Sequence, residues 1–191
     1  MSYIDKKFID RLRKDYHNRE QERKKIIEGS NRVLHSSKRV IFSLHRSEIK
    51  KAEKNLEEIE KDLRSLNNDF GFQRLLDEGS FKAATEEYVE AKMFFRLLNK
   101  EKFREIKGLD IPRDSYLGGL CDLVGELVRL ATNKASSGDI EEVREIKGII
   151  NEILEELIQF DFTGYLRNKF DQAKTGLRKI EQIDYEINLK K

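Results

Sequence analysis

The chain has 191 residues, of which 38% are hydrophobic and 39% are Asp, Glu, Lys or Arg, with a formal net charge of only +2. That length suits one sizeable core rather than two domains, and apolar residues at regular spacing exclude a disordered polyampholyte. One proline and eleven glycines point to long helices with short connections, and the single cysteine, Cys121, excludes an intramolecular disulfide framework and fits a reducing compartment.

In chain order, the first helical region is expected from about Tyr3 to His45, with Gly29 as the place for a bend. Its start, "MSYIDKKFIDRLRKDY", lacks the apolar stretch of a signal peptide, and no run in the chain approaches a membrane span. A soluble, cytoplasmic protein with no membrane partner is therefore expected. Residues 1–51 carry 15 Lys and Arg against 7 Asp and Glu, while the remainder carries 23 against 29. A basic arm on a near-neutral body suits a polyanion such as nucleic acid; a solvated face or a subunit contact is the plainer alternative. The middle of the arm, "HNREQERKK", has no apolar residue, so it is solvated or meets charge on a partner.

Ala52, Leu56, Ile59, Leu63 and Leu66 then follow a 4-3-4-3 spacing that predicts an amphipathic helix ending before "NNDFG". A short helix is expected around Phe72 to Asp77, and Ser80 is a candidate cap for the next helix, whose core stripe is Ala84, Tyr88, Ala91, Phe95 and Leu98. Residues 99–114 hold the only proline and form the longest connection. After it, "YLGGLCDLVGELVRLA" (116–131) reads as a buried helix with a stripe of Leu117, Leu120, Val124, Leu127 and Ala131. Asp139 and Glu142 have capping-box spacing for a helix burying Val143, Ile146, Ile150, Ile153 and Leu157. The last helix, from about Thr163 to Leu189, carries Leu166, Phe170, Ala173, Leu177, Ile180 and Ile187. No strand pattern or domain boundary emerges, so residues 1–191 form one all-α bundle of six to seven antiparallel helices.

Several chemistries are excluded. There is no G-x-x-x-x-G-K-[ST] phosphate loop and no G-x-S-x-G elbow, and three His with one Cys lack zinc-site spacing. His17, His35 and His45 read as surface or capping residues, and Tyr88, Phe94, Phe95, Phe160, Phe162, Tyr165 and Phe170 as packing aromatics. Cys121, next to an acid, is a poor nucleophile.

The acids remain. Glu87 and Glu90 lie three apart on one helix, and Asp122 and Glu126 four apart on the most apolar one, thinned by Gly118, Gly119 and Gly125. If these faces oppose one another, four carboxylates converge and cannot all stay ionised without a cation. Oxygen ligands alone favour Mg²⁺ or Mn²⁺, and the glycines would let a helix or a substrate backbone approach closely. Such an ion beside Arg129 suits phosphodiester chemistry. Taken singly, acid pairs at these spacings are usually surface features.

Four blocks carry a family resemblance: "SKRVIFSLHR" (37–46), "EEYVEA" (86–91), "YLGGLCDLVGELVRLATNKASSGDI" (116–140) and the C-terminal "LRKIEQIDYEINL". In order and spacing they resemble the translin superfamily. The SKR-IF-LHR block and the Asp of "CDLVGEL" are more similar to the translin-associated factor X (Trax) branch than to translin, in a divergent, archaeal-like form. The resemblance implies a translin-like α-α superhelix of seven helices assembled as a homo-oligomer, an octameric shell, or with a translin-like partner subunit. It further implies a Mg²⁺- or Mn²⁺-dependent endoribonuclease acting on single-stranded RNA or nicked small duplexes. The metal-site and catalytic positions of the family fall on Glu87, Glu90, Asp122 and Glu126.

On this reading Arg129 contacts the scissile phosphate or bridges to Glu126. Lys38, Arg39 and Arg46 contact the RNA backbone, or else snorkel or meet another subunit. Two other classes stay open: a non-catalytic shell that binds single-stranded nucleic acid, and a helical scaffold whose charged arm meets protein.

Overall fold

The computed structural model describes residues 3–189, which form seven α-helices and one short 3₁₀ turn. The first, α1 (Lys6–His45), starts where Asp5 accepts hydrogen bonds from the backbone N–H of Lys7 (2.9 Å) and Phe8 (3.2 Å). Forty residues at about 1.5 Å each make a helix about 60 Å long. Its first buried residue is Ile26, so the preceding turns project as an arm. No break in the helix falls at Gly29. The helix is continuous there, and a Cβ on Gly29 would lie 2.7 Å from Leu66 Cδ2, so the glycine lets α2 pack against α1. The apolar-free middle of the arm meets charge within its own chain: Arg19 pairs with Asp77, and Glu22 accepts from Arg74 at 3.3 Å.

The stripe of α2 (Ile49–Phe70) is buried as its spacing predicts, and α3 is the single turn Phe72–Leu75. The central helix is α4 (Gly79–Leu98), packed against α1 on one side and α5 (Arg113–Ser136) on the other. Two further helices, α6 (Ile140–Leu157) and α7 (Gly164–Leu189), pack on α5 and on each other. Because α4 is covered on several sides, Phe81, Val89, Met93 and Phe94 are buried along with Ala84, Tyr88, Ala91 and Phe95 of the predicted stripe, while Leu98 at its end is only partly buried. The predicted α6 stripe is buried too. The connection between α4 and α5 is pinned by Tyr116, whose hydroxyl accepts from Ile106 N–H at 2.7 Å and donates to Arg104 C=O at 3.2 Å.

Several local expectations are corrected. In α5 the buried face shifts at its start: Leu117 and Leu120 are only partly buried, while Gly118, Gly119 and Cys121 face the core. The reason is steric, since a Cβ on Gly119 would lie 2.7 Å from the backbone oxygen of Glu86 and 2.9 Å from Val89. It is α4 that occupies the space the glycines leave. Ser80 is not a cap; α4 begins at Gly79, and the Ser80 hydroxyl is buried without a partner. Asp139 makes no capping bond, because Asp139 and Glu142 both turn to Lys134. Phe160 and Tyr165 are exposed rather than in the core, Phe160 stacked on Phe162 at 5.5 Å between ring centroids.

Candidate functional site

The four acids singled out by spacing face one another across the α4–α5 seam, closed by α1 on one side and α7 on the other. Glu87 and Glu90 descend from α4, and Asp122 and Glu126 from α5. Each α4 acid is close enough to Asp122 and Glu126 to feel their charge. Glu90 is the deepest, 7% exposed, and makes no hydrogen bond or ion pair within the described chain. Burial first, then the charges of Glu87, Asp122 and Glu126, push its carboxyl up to about 9. At neutral pH it is a protonated acid.

The other three differ in how their charge is met. Glu87 is raised, chiefly by burial; Lys38, 4.0 Å away, opposes this, while Asp122 adds to it. Asp122 is also raised by burial, part of which is offset by an ion pair with Lys169. Glu126 is lowered: burial works against its charge, but His45 and then Arg129 outweigh it. The His45 Nε2–H donates to Glu126, the imidazole side chain is 5% exposed, and its ring lies 4.9 Å from that of Phe94.

Three participants were not singled out as such by the sequence. His45, which its sequence context suggests is a surface or capping residue, is instead buried against Glu126. Lys169, on α7, bridges Asp122 and Glu86, reaching Glu86 Oε1 at 2.9 Å. Glu86 is 8% exposed and accepts a 2.6 Å hydrogen bond from the Tyr165 hydroxyl. A Cβ on Gly118 would sit 2.0 Å from Glu86 Oε2, so the glycine is what admits this buried carboxylate.

Of the basic candidates, Arg129 lies 3.4 Å from Glu126 and is half exposed, leaving its outer face toward solvent. Lys38 is exposed beside Glu87, Arg39 is exposed, and Arg46 lies over the Phe42 ring, 5.2 Å from its centroid. His17 and His35 are exposed, as expected. The Cys121 thiol is pushed up to about 12 by burial and by Asp122, which leaves it inert.

The donor chemistry suits a hard divalent cation: a cluster of oxygen ligands with one buried carboxyl that makes no ion pair among the described residues, Lys169 only partly opposing the acids around it. The side chains are not pre-set around one, however. Among the described residues no group of three or more His, Cys, Asp or Glu is arranged to hold a metal ion. Asp122 and Glu126 point to Lys169 and His45 instead.

Comparison with known proteins bears on this arrangement. The model of the Translin family matches residues 21–191. The chain belongs to the Translin family. Translin of Gallus gallus is 31% identical over 124 residues, and human translin 29% over 124; each match covers 63% of this chain and 54% of the relative. An uncharacterised protein of Methanocaldococcus jannaschii is 28% identical over 118 residues, covering 59% of this chain and 53% of that one. The chain thus spans about half the length of the curated translins it matches. Among solved structures, apo-NeC3PO has a TM-score of 0.85 at 22% identity, covering 98% of this chain and all of that one. An AfC3PO complex with duplex RNA has a TM-score of 0.85 at 22% identity, covering 96% and 97%. These likenesses bear out the translin-like all-α fold. No helix among the described residues is long and apolar enough to cross a membrane.

Proposed function

We propose that this Translin-family chain is a subunit of an oligomeric, nucleic-acid-binding shell and, more specifically, a Trax-like Mg²⁺- or Mn²⁺-dependent endoribonuclease. Its substrate would be single-stranded RNA or nicked small duplexes. The observation that carries the reading is Glu90, a buried carboxyl among three further acids that makes no ion pair of its own among the described residues. A stable fold has no use for such a group, since burying an acid beside like charges is destabilising. A cation at that place turns the liability into binding energy. The AfC3PO complex with duplex RNA supports RNA as the polyanion.

Glu87, Glu90, Asp122 and Glu126 would hold the ion. When bound, a divalent metal supplies Lewis acidity at a phosphodiester and makes a water acidic enough to attack at neutral pH. The chain's own residues do the rest. The imidazole of His45 fixes the orientation of Glu126, and burial of Glu90 keeps bulk water from competing for the site. Arg129, half exposed above Glu126, is placed to meet phosphate charge. Lys38, Arg39 and Arg46 on α1 would bind the RNA backbone without reading its sequence.

The test is incubation of an end-labelled single-stranded RNA with the assembled protein in Mn²⁺, Mg²⁺ or EDTA. Cleavage in the metals and none in EDTA is expected. RNA that is bound yet intact in all three would replace this reading with that of a non-catalytic binding shell, and absence of salt-dependent binding would replace it with a protein scaffold.

A further inference from the structure

Lys169 has no part in the set of acids just described, yet its ammonium bridges Asp122 on α5 and Glu86 on α4. It is 18% exposed and stands 5.5 Å from the centroid of the Tyr165 ring. Its two acidic partners are held differently. Glu86 is fixed on both sides: its Oε1 accepts from the Tyr165 hydroxyl at 2.6 Å, and its Oε2 fills the space left by Gly118. No second donor restrains Asp122 among the described residues, since its only hydrogen bond is the one from Lys169.

We propose that Lys169 is the resident counter-ion of the acidic site and competes with a divalent metal for Asp122, retiring onto Glu86 when the metal binds. The inference rests on the metal-site reading above and concerns a residue that reading does not use. Breaking a buried ion pair is costly when it strands a charge. Here the exchange strands none: Asp122 turns to the metal, and Lys169 keeps its 2.9 Å contact with Glu86. Glu86 is thereby a positioning residue, a seat for the displaced ammonium. The four-carbon stem of Lys169 allows the small movement that the fixed Glu86 does not. The arrangement explains three features together: why an acid outside the metal set is buried, why Gly118 makes room for it, and why among the described residues no three acids are pre-set around an ion.

The experiment is a titration of Mn²⁺ into the RNA-free assembled protein, with free Mn²⁺ read by electron paramagnetic resonance. Lys169→Met should tighten binding roughly tenfold, the worth of one charge-assisted hydrogen bond that no longer has to be broken. Glu86→Gln should act in the opposite direction, weakening it about fivefold, because Lys169 then depends on Asp122 alone. Opposite signs alone also follow from the charges removed, so the Asp122→Asn background decides between competition and through-space charge. In an Asp122→Asn background the Lys169→Met effect should shrink to about twofold, the residue of through-space charge. An undiminished effect there, or no tightening in the single variant, would overturn the competition while leaving the metal site standing. If wild type itself binds no Mn²⁺, both readings fall together. Should Lys169→Met fail to assemble, the near-isosteric Glu86→Gln still decides: unchanged or tighter binding overturns the proposal.

Discussion

Replacing Glu90 by Gln should make the metal-free protein more stable, and increasingly so as pH rises. The glutamine keeps the shape of the protonated acid and removes its titration. In the fold the Glu90 carboxyl is pushed up to about 9 from its usual 4.5, so the folded chain keeps a proton that the unfolded chain releases. A group raised in this way takes stability away as pH climbs between the two values. One pH unit is worth about 1.36 kcal/mol, so wild type loses about 3 kcal/mol by pH 7 and about 6 kcal/mol by pH 9, relative to pH 4. Below pH 4.5 the two proteins should match. The assay is urea denaturation of wild type and Glu90→Gln in EDTA at pH 4.5, 7 and 9, at one fixed protomer concentration because assembly couples to stability. The difference between the curves isolates Glu90 from the other titrating groups. A gap that widens with pH is expected, and saturating Mn²⁺ should close it by stabilising wild type selectively. Parallel curves would refute the reasoning, because a carboxyl this deeply buried beside three acids could not titrate like a free one.

Two further outcomes follow from the same geometry. Gly119→Ala should destabilise by about 2–3 kcal/mol, since its Cβ would press on the Glu86 backbone and Val89; Gly125→Ala, with open space around it, should gain up to about 1 kcal/mol from helix propensity. Equal melting temperatures for the two would contradict the close α4–α5 contact. RNA affinity should fall with salt along a log–log slope that becomes shallower by about one unit on Arg39→Ala, measured by filter binding. An unchanged slope would remove Arg39 from the interface.

The parts of this molecule legible in the sequence are those in which one helix determines its own face. The 4-3-4-3 stripe of α2 and the stripe of α6 were readable because each helix has one covered side. The start of α5 was misread because steric room, not hydrophobicity, decides its inward face: Gly118 and Gly119 are buried by what they lack. The acids were found for the same local reason, as carboxylates three or four apart on apolar helices. What neutralises them was not legible. His45 reaches Glu126 across 81 positions, Tyr165 reaches Glu86 across 79, and Lys169 reaches Asp122 across 47. Nothing in the spacing of α1 or α7 marks Lys169 among 38 Lys and Arg, His45 among three His or Tyr165 among six Tyr. Only the packing of α1 and α7 against the α4–α5 seam brings them in.

The central proposal is that the carboxylates on α4 and α5 hold a metal ion that cleaves RNA. Its most direct test is the Mn²⁺-dependent cleavage rate of a labelled single-stranded RNA by wild type and by Glu126→Gln at equal oligomer content, with RNA affinity measured on the same samples. The substitution should lower the rate at least about tenfold, the lower end of what loss of even a metal's outer-shell partner costs, while affinity stays within about twofold. Cleavage that survives in Glu126→Gln at the wild-type rate would contradict it and place the chemistry elsewhere.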